Sequence, residues 1–498
     1  MKKFLFPLLA LALLCPAAAS QPASLHCNGK VTQLMLKGQP FIILGGELAN
    51  SSSSSAKYMD GRDTWRTLRA AGLNTVLCPV MWDLMEPQEG KFDFSQVDYL
   101  LLRARENDLH LVLLWFGSWK NSMSCYAPQW VKKQLGTRFT PALDENDVPQ
   151  EMISAFCKEG VKADSRAFAA LCAHLRETDA DTGTVLMIQV ENEIGMLPCA
   201  RDHSAPAQAE WRKGGYGDDL PSQEEFQAKA YARYTEQVAK EGKKEYDIPM
   251  YVNAALNSRG RKPGEYPSAG PLAHLSGIWK KYAPHIDLLC PDIYDDVFAD
   301  WIALYATPDN QLFIPEVRPS ASNCGRVFYT LGHHAAIGFS PFDIDNSPLY
   351  TSDSYALLRP VLPLIAQKQA EGRTHGALCS TQRPRQEVEA GDIIFTCAHD
   401  GTLPWSGVGE EDWGEQGVMI VEMGEDEFLF LGSGVVTTMR PASGQGRVGI
   451  CSLNELRFEA DGTPVKLRSL NGDEDHQGRH IRLPYGKCSA QLLKIYRY

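Results

Sequence analysis

Short apolar runs alternate with stretches of helical periodicity through the first three-quarters of the chain. Residues 41–44, 74–78, 110–115, 185–188, 250–253, 286–290, 312–316 and 336–340 are too short for ordinary helices and read as buried strands. Between them, 63–71 and 164–176 have helical spacing. Ser95 is expected to cap a helix whose apolar face carries Val97, Leu100, Leu101 and Ala104. Ser222 with Glu225 reads as a capping box before a helix bearing Phe226, Ala230, Tyr234 and Val238, and a last helix is expected from Ser352 to about Gln369. Strands and helices alternating in this way predict a parallel sheet, and eight such units predict a (β/α)8 TIM barrel of the α/β class. Turn signals at 27–30 and 36–39 flank 31–35, so a small hairpin is expected to close the barrel's lower end.

The pattern changes near residue 375. Short β-like runs at 392–396, 417–421, 427–431, 448–451 and 492–496 predict a separate, sandwich-like all-β domain. The expected division is a leader at 1–20, a catalytic barrel with its hairpin at 21–374 and an all-β accessory domain at 375–498. Met1-Lys2-Lys3, the apolar run 4–15 and Pro16-Ala17-Ala18-Ala19-Ser20 have the order of a secretory signal peptide, which predicts a periplasmic or extracellular protein. Bulky Leu14 precedes Cys15 where a lipid-attachment signal prefers a small residue, so export without an anchor is expected over a lipoprotein. No other run is apolar enough to span a bilayer.

Composition narrows the partners. Hydrophobic residues at 44% and charged residues at 22% of 498 describe an ordinary globular chain. A net charge of −12 argues against nucleic acid or an anionic membrane and fits a neutral substrate. The cysteines lack Cys-x-x-Cys spacing, which argues against a zinc knuckle or redox pair. Cys78, Cys172 and Cys290 read as core thiols, and Cys125 and Cys199 as free thiols rather than a bridge.

The candidate chemistry lies at strand ends. The fourth strand runs into Gln189-Val190-Glu191-Asn192-Glu193-Ile194-Gly195, and the seventh ends at Glu316, 123 residues beyond Glu193. Two carboxylates facing each other across a barrel mouth are the apparatus of glycoside hydrolysis. Glu316 is expected to be the nucleophile and Glu193 the acid/base, with repulsion holding the acid's pKa above the nucleophile's. Asn192 would hydrogen-bond the sugar 2-hydroxyl, and Tyr294 would hold the nucleophile ionised. Glu47 and Asn253, after strands one and five, complete the substrate-binding candidates. Trp82, Trp115 and Trp119 end adjacent strands, and at least one is expected to stack on a sugar face. Glu191 reads as a paired structural acid, Glu86 as a loop-fixing ion pair, and His333-His334 as surface or core. Trp405 and Trp413 read as packing or edge residues of the β domain.

These segments resemble glycoside hydrolase family 35, the β-galactosidases. The likeness rests on Val185 through Gly195, Ala163-Asp164-Ser165-Arg166-Ala167-Phe168, Trp82 through Glu86-Pro87 with Gly90-Lys91-Phe92-Asp93-Phe94, Pro291-Asp292-Ile293-Tyr294 and Phe313-Ile314-Pro315-Glu316. The tail Asn471 to Arg479 is similar to a β domain of unassigned function on a bacterial branch of that family. The resemblance implies a retaining, exo-acting β-galactosidase that needs no cofactor or metal and whose partner is a carbohydrate. One departure is Trp115-Phe116-Gly117-Ser118-Trp119-Lys120-Asn121, where better-known members carry Ala-Glu-Trp to hold galactose hydroxyls. Glu47 or Asn121 is expected to substitute. Another β-glycosidase of the same clan stays open. A non-catalytic sugar-binding barrel would have lost a carboxylate, the Asn or the Tyr, and all are present. No residue pattern sets the aglycone, the linkage or the oligomeric state.

Overall fold

Eight parallel strands form a ring in the computed structural model, which describes residues 22–409 and 413–498. The expected leader and Cys15 lie outside the described residues. The strands are β1 (Ile43–Leu44), β2 (Thr75–Met81), β3 (His110–Lys120), β4 (Val185–Asn192), β5 (Met250–Ala255), β6 (Leu288–Ile293), β7 (Ile314–Val317) and β8 (Gly338–Pro341). Their neighbour order is β1-β8-β7-β6-β5-β4-β3-β2. The seam closes through the Leu77 N–H to the Gly46 carbonyl at 2.9 Å and the Leu48 N–H to the Leu77 carbonyl at 3.0 Å.

Helices α1 (Thr64–Ala70), α2 (Ser95–Glu106), α3 (Lys158–Asp179), α4 (Leu220–Glu245), α5 (Ser276–Tyr282), α6 (Phe298–Tyr305), α7 (Asn323–His333) and α8 (Leu362–Glu371) follow the strands in turn. Strand alternation divides the core in two. Leu77, Val112, Leu114, Tyr251, Leu288 and Phe313 fill the interior together with Leu34 of the N-terminal sheet. Val76, Cys78, Leu111, Leu113, Val190 and Leu289 face the helices. The expected hairpin is a three-stranded sheet, Ser24–Asn28, Val31–Leu36 and Gln39–Pro40.

Three helix boundaries differ from expectation. The helix α4 starts before Ser222, because Asp219 caps it and accepts the Ser222 N–H at 3.0 Å; Pro221 suits a first turn, where no N–H is needed. Ser95 begins α2 rather than capping it, and Asp93 accepts its N–H at 2.9 Å. The last expected helix is split into Ser352–Leu358 and α8 by a 3-10 turn at Arg359–Val361, where Pro360 offers no N–H.

Beyond α8, antiparallel strands form a six-stranded and a four-stranded sheet. Ala377, Val388, Phe395, Val418, Phe430 and Leu493 make a buried core between them. The other face of the larger sheet joins the barrel's outer core through Met419, Val421, Leu429 and Leu431. Helix α7 lies against this sheet so closely that backbone meets backbone. A Cβ at Gly417 would sit 2.0 Å from the Gly325 carbonyl oxygen. Arg326 pairs with Glu415 across the same contact. Cys125 and Cys199 are free thiols, and Cys78, Cys172 and Cys290 are buried. Gly417→Val should therefore lower stability by about 1–3 kcal/mol or more, read by denaturant titration; an unchanged midpoint would mean that this contact opens freely.

Candidate active site

The mouth at the C-terminal ends of the strands gathers polar side chains from around the ring. Glu47 follows β1, Lys120 ends β3, Asn192 ends β4 and Glu193 follows it, Asn253 lies in β5, Asp292 lies in β6 and Tyr294 follows it, and Glu316 lies in β7. One oxygen each from Glu193, Asp292 and Glu316 fall within 4.8 Å of one another. Glu193 and Glu316 are 5% and 4% exposed, and Glu47, Asp292, Asn192, Asn253 and Lys120 are also buried.

Local backbone irregularity aims the two glutamates. Ile314 and Val317 both face the outer core, and the β7–β8 register shifts between them. In a regular strand Glu316 would share the outward face of Ile314. The bulge turns it inward. On β4, left-handed backbone at Glu191 (φ 62°) and Glu193 (φ 43°) breaks alternation. Glu191 consequently leaves the mouth and accepts the Trp119 N–H at 2.8 Å; burial and neighbouring Asp164 hold its carboxyl well above the ordinary range. This is the structural acid expected from the sequence.

Each carboxylate of the trio already accepts a hydrogen bond. Asn121 Nδ2 donates to Glu193 Oε2, the Tyr294 hydroxyl donates to Glu316 Oε1, and Asn253 Nδ2 donates to Asp292 Oδ2 at 2.6 Å. The cluster is thus organised by hydrogen bonds. Both ends of the Asn192 amide are buried without a partner in the protein, a state that a sugar's hydroxyls would relieve, and the buried Glu47 carboxyl lies against that of Glu316. Burial and then Glu193 push the Glu316 carboxyl up to about 7, against the pull of Lys120 and the Tyr294 hydroxyl. Burial, followed by repulsion from Glu316, holds Glu47 and Asp292 well above the carboxylate range. The nucleophile candidate is therefore no low-pKa group, because four carboxyls share one desolvated volume.

The tryptophans correct the sequence reading. Trp82, Trp115 and Trp119 are each 0% exposed, so none offers a ring face at the mouth. Their positions share the alternation of outward-facing Val76, Cys78 and Val80 on β2 and of Leu111 and Leu113 on β3, which sends the rings into the helix layer. The Trp82 indole N–H donates to Glu86 Oε2 at 2.8 Å, and that of Trp115 to Asp164 at 2.9 Å. The Trp119 ring packs edge-on to Tyr231 and Tyr234. Glu86 is the expected loop-fixing acid, paired with Arg166 and accepting the Gly90 N–H at 2.6 Å. His333 and His334 lie at the end of α7 against Tyr329. Trp413 stacks on His399, and Trp405 is exposed beside His476.

Asp292 and Lys120 escaped the sequence reading. Asp292 had a signal: it stands two residues from both Cys290 and Tyr294, on the inward face of β6 that Leu288 and Cys290 define.

Two family descriptions match separate parts of the chain. "Beta-galactosidase", glycoside hydrolase family 42, matches residues 57–236, and "Domain of unknown function (DUF5597)" matches 351–482. The first includes Asn192 and Glu193 but ends before Glu316. The chain is similar to a "Beta-galactosidase" of Xanthomonas manihotis, 28% identical over 227 residues, which are 43% of this chain and 34% of that protein. It is also similar to "Beta-galactosidase-1-like protein 3" of Homo sapiens, 27% identical over 32% of this chain and 23% of that protein. The chain thus spans about a third or less of the length of these relatives. Among solved structures, the catalytic domain of a beta-amylase from Paenibacillus polymyxa has a TM-score of 0.47 at 12% identity, over 62% of this chain and 93% of that one. A beta-galactosidase from Marinomonas ef1 has a TM-score of 0.48 at 11% identity, over 66% and 60%.

The buried tryptophans yield a direct check. Trp82→Phe removes a donor from buried Glu86 and should cost about 1–3 kcal/mol of stability, while leaving sugar affinity within a few-fold of wild type. Thermal melts with and without sugar separate the two, and a large affinity loss at unchanged stability would return Trp82 to the binding surface.

Proposed function

We propose that this chain is an exo-acting, retaining β-galactosidase that removes terminal β-galactosyl residues from an oligo- or polysaccharide. The observation that carries the reading is the approach of Glu193 and Glu316 oxygens to within 4.8 Å at the ends of β4 and β7. Retaining glycosidases keep their carboxyls roughly 5–5.5 Å apart, whereas inverting ones need roughly 6.5–9.5 Å to admit a water.

In this mechanism ionised Glu316 attacks the anomeric carbon while Glu193 protonates the departing oxygen. A glycosyl-enzyme forms on Glu316. Glu193, now a carboxylate, takes a proton from water, which attacks the same carbon and releases the sugar with its configuration retained. Lys120 and the Tyr294 hydroxyl favour ionised Glu316. The unpartnered Asn192 amide serves the 2-hydroxyl, and the buried Glu47 carboxyl beside Glu316 serves other ring hydroxyls. Asn121, bound to Glu193, orients the acid/base rather than substituting for the missing Ala-Glu-Trp segment.

The segments from Val185 to Gly195 and around Glu316 support membership of glycoside hydrolase family 35, and the β-galactosidase match over 57–236 supports the broader class. The basic and apolar start supports export to the periplasm or beyond. In the same reading residues 21–374 are the catalytic unit and 375–498 an accessory one that supplies no proton-transfer group.

A panel of nitrophenyl glycosides tests the substrate. The β-galactoside should turn over fastest, and preference for another β-glycoside would reassign the sugar within the clan. Because the nucleophile must be ionised, kcat/KM should fall as pH drops through about 7, the value to which Glu316 is raised. An acidic limb near 4 would mean that Glu316 is not held up.

Variants separate the glutamates. Glu316→Ala should abolish turnover, with azide restoring it and giving an inverted product. Glu193→Ala should still form the glycosyl-enzyme from nitrophenyl substrates, with azide speeding its breakdown to a retained product. Each loss should be at least about 10²–10⁴-fold in the step served. Swapped product configurations would exchange the two roles.

A further inference from the structure

We infer that Asp292 is a positioning residue for the acid/base glutamate, acting through the amide of Asn253. The inference rests on the proposed glycosidase reading and goes beyond it, since Asp292 neither attacks nor protonates in that mechanism.

The connection is a chain of two hydrogen bonds. Asp292 Oδ2 accepts Asn253 Nδ2 at 2.6 Å, and Asn253 Oδ1 accepts the backbone N–H of Glu193 at 3.0 Å. An asparagine amide is ambivalent: either end can face a given neighbour. The Asp292 oxygen takes the amide N–H on one side and the Glu193 N–H needs an acceptor on the other, so the two together select the orientation that presents the amide oxygen to Glu193. All three residues are buried, so bulk water does not substitute for either bond.

Glu193 needs such a hold. Its φ of 43° lies in the left-handed region, which a residue with a Cβ occupies only when its surroundings enforce it. The left-handed turn at Glu191 precedes it, so the peptide carrying the Glu193 N–H sits where β4 stops being regular. A fixed N–H there fixes the Cα, and hence where the carboxyl meets the departing oxygen. Asp292 also faces Glu316 across the β6–β7 ladder and its carboxyl lies against that of Glu193, while the bond it accepts from an amide runs toward β5. Loss of Asp292 should accordingly harm the acid more than the nucleophile.

The test uses leaving groups. Dinitrophenolate departs without a proton, whereas phenolate or a sugar needs one. Asp292→Ala should keep kcat/KM for a dinitrophenyl β-galactoside within about tenfold of wild type and lose on the order of 100-fold or more on the phenyl galactoside. Asp292→Asn, which retains an acceptor oxygen for Asn253 Nδ2, should recover much of that loss and guards against a misfolded alanine variant. If Asp292 works through Asn253, the double variant with Asn253→Ala should lose no more on the phenyl substrate than the worse single variant. Equal losses on both substrates, or additive losses in the double variant, would overturn the inference. A crystal structure of Asp292→Ala with Asn253 unmoved and Glu193 still near its present φ would overturn it whatever the activity. A wild-type protein inactive on every glycoside would instead reject the glycosidase reading.

Discussion

Holding four carboxyl groups in one desolvated barrel mouth is the constraint on which the rest of this structure depends. Glu47, Glu193, Asp292 and Glu316 come from four different strands, and burial is the first cause of the upward shift at Glu47, Asp292 and Glu316. A flexible chain would relieve such repulsion by moving the groups into water. Strands hydrogen-bonded on both sides cannot. The strain is moderated by donors that arrive from neighbouring units: Lys120 at the end of β3, Asn121 just after it, Asn253 from β5 and Tyr294 after β6.

Behind the mouth lies a second buried polar layer that fixes the loops. Asp164 of α3 accepts the indole N–H of Trp115 and, at 3.1 Å, the N–H of Ser118. Glu191 accepts the N–H of Trp119, and Glu86 gathers Trp82, Gly90 and Arg166. The tryptophans thus contribute rigidity to the segments that deliver Lys120 and Asn121. Buried polar networks of this kind, once satisfied, specify one arrangement because each broken member leaves an unpaired group.

The C-terminal sheets brace the opposite side. Helix α7 follows β7, and its contact with the larger sheet holds the unit that carries Glu316. A glycine meeting a glycine lets the backbones approach more closely than any side chain would permit. The contact joins the tail to the unit that carries Glu316, and none of the tail's described residues is among the polar groups of the mouth.

Periodicity determined much by itself. Apolar runs of strand length alternating with amphipathic helices specify a barrel, because each element must bury its one apolar face and the eight units repeat the same solution. The same alternation, read residue by residue, places Trp82 and Trp115 outward and Asp292 inward; it was legible and required only a count in twos. Chain-end signals failed locally, as at Ser222, where Asp219 offered the nearer cap. What only the tertiary structure decided are the departures from period: the bulge that turns Glu316 inward and the left-handed backbone that sends Glu191 out and leaves Glu193 at the mouth. Such departures persist because long-range neighbours hold them. Asn253 and Asp292 lie 60 and 99 residues beyond Glu193, and no local pattern in the sequence announces that they meet.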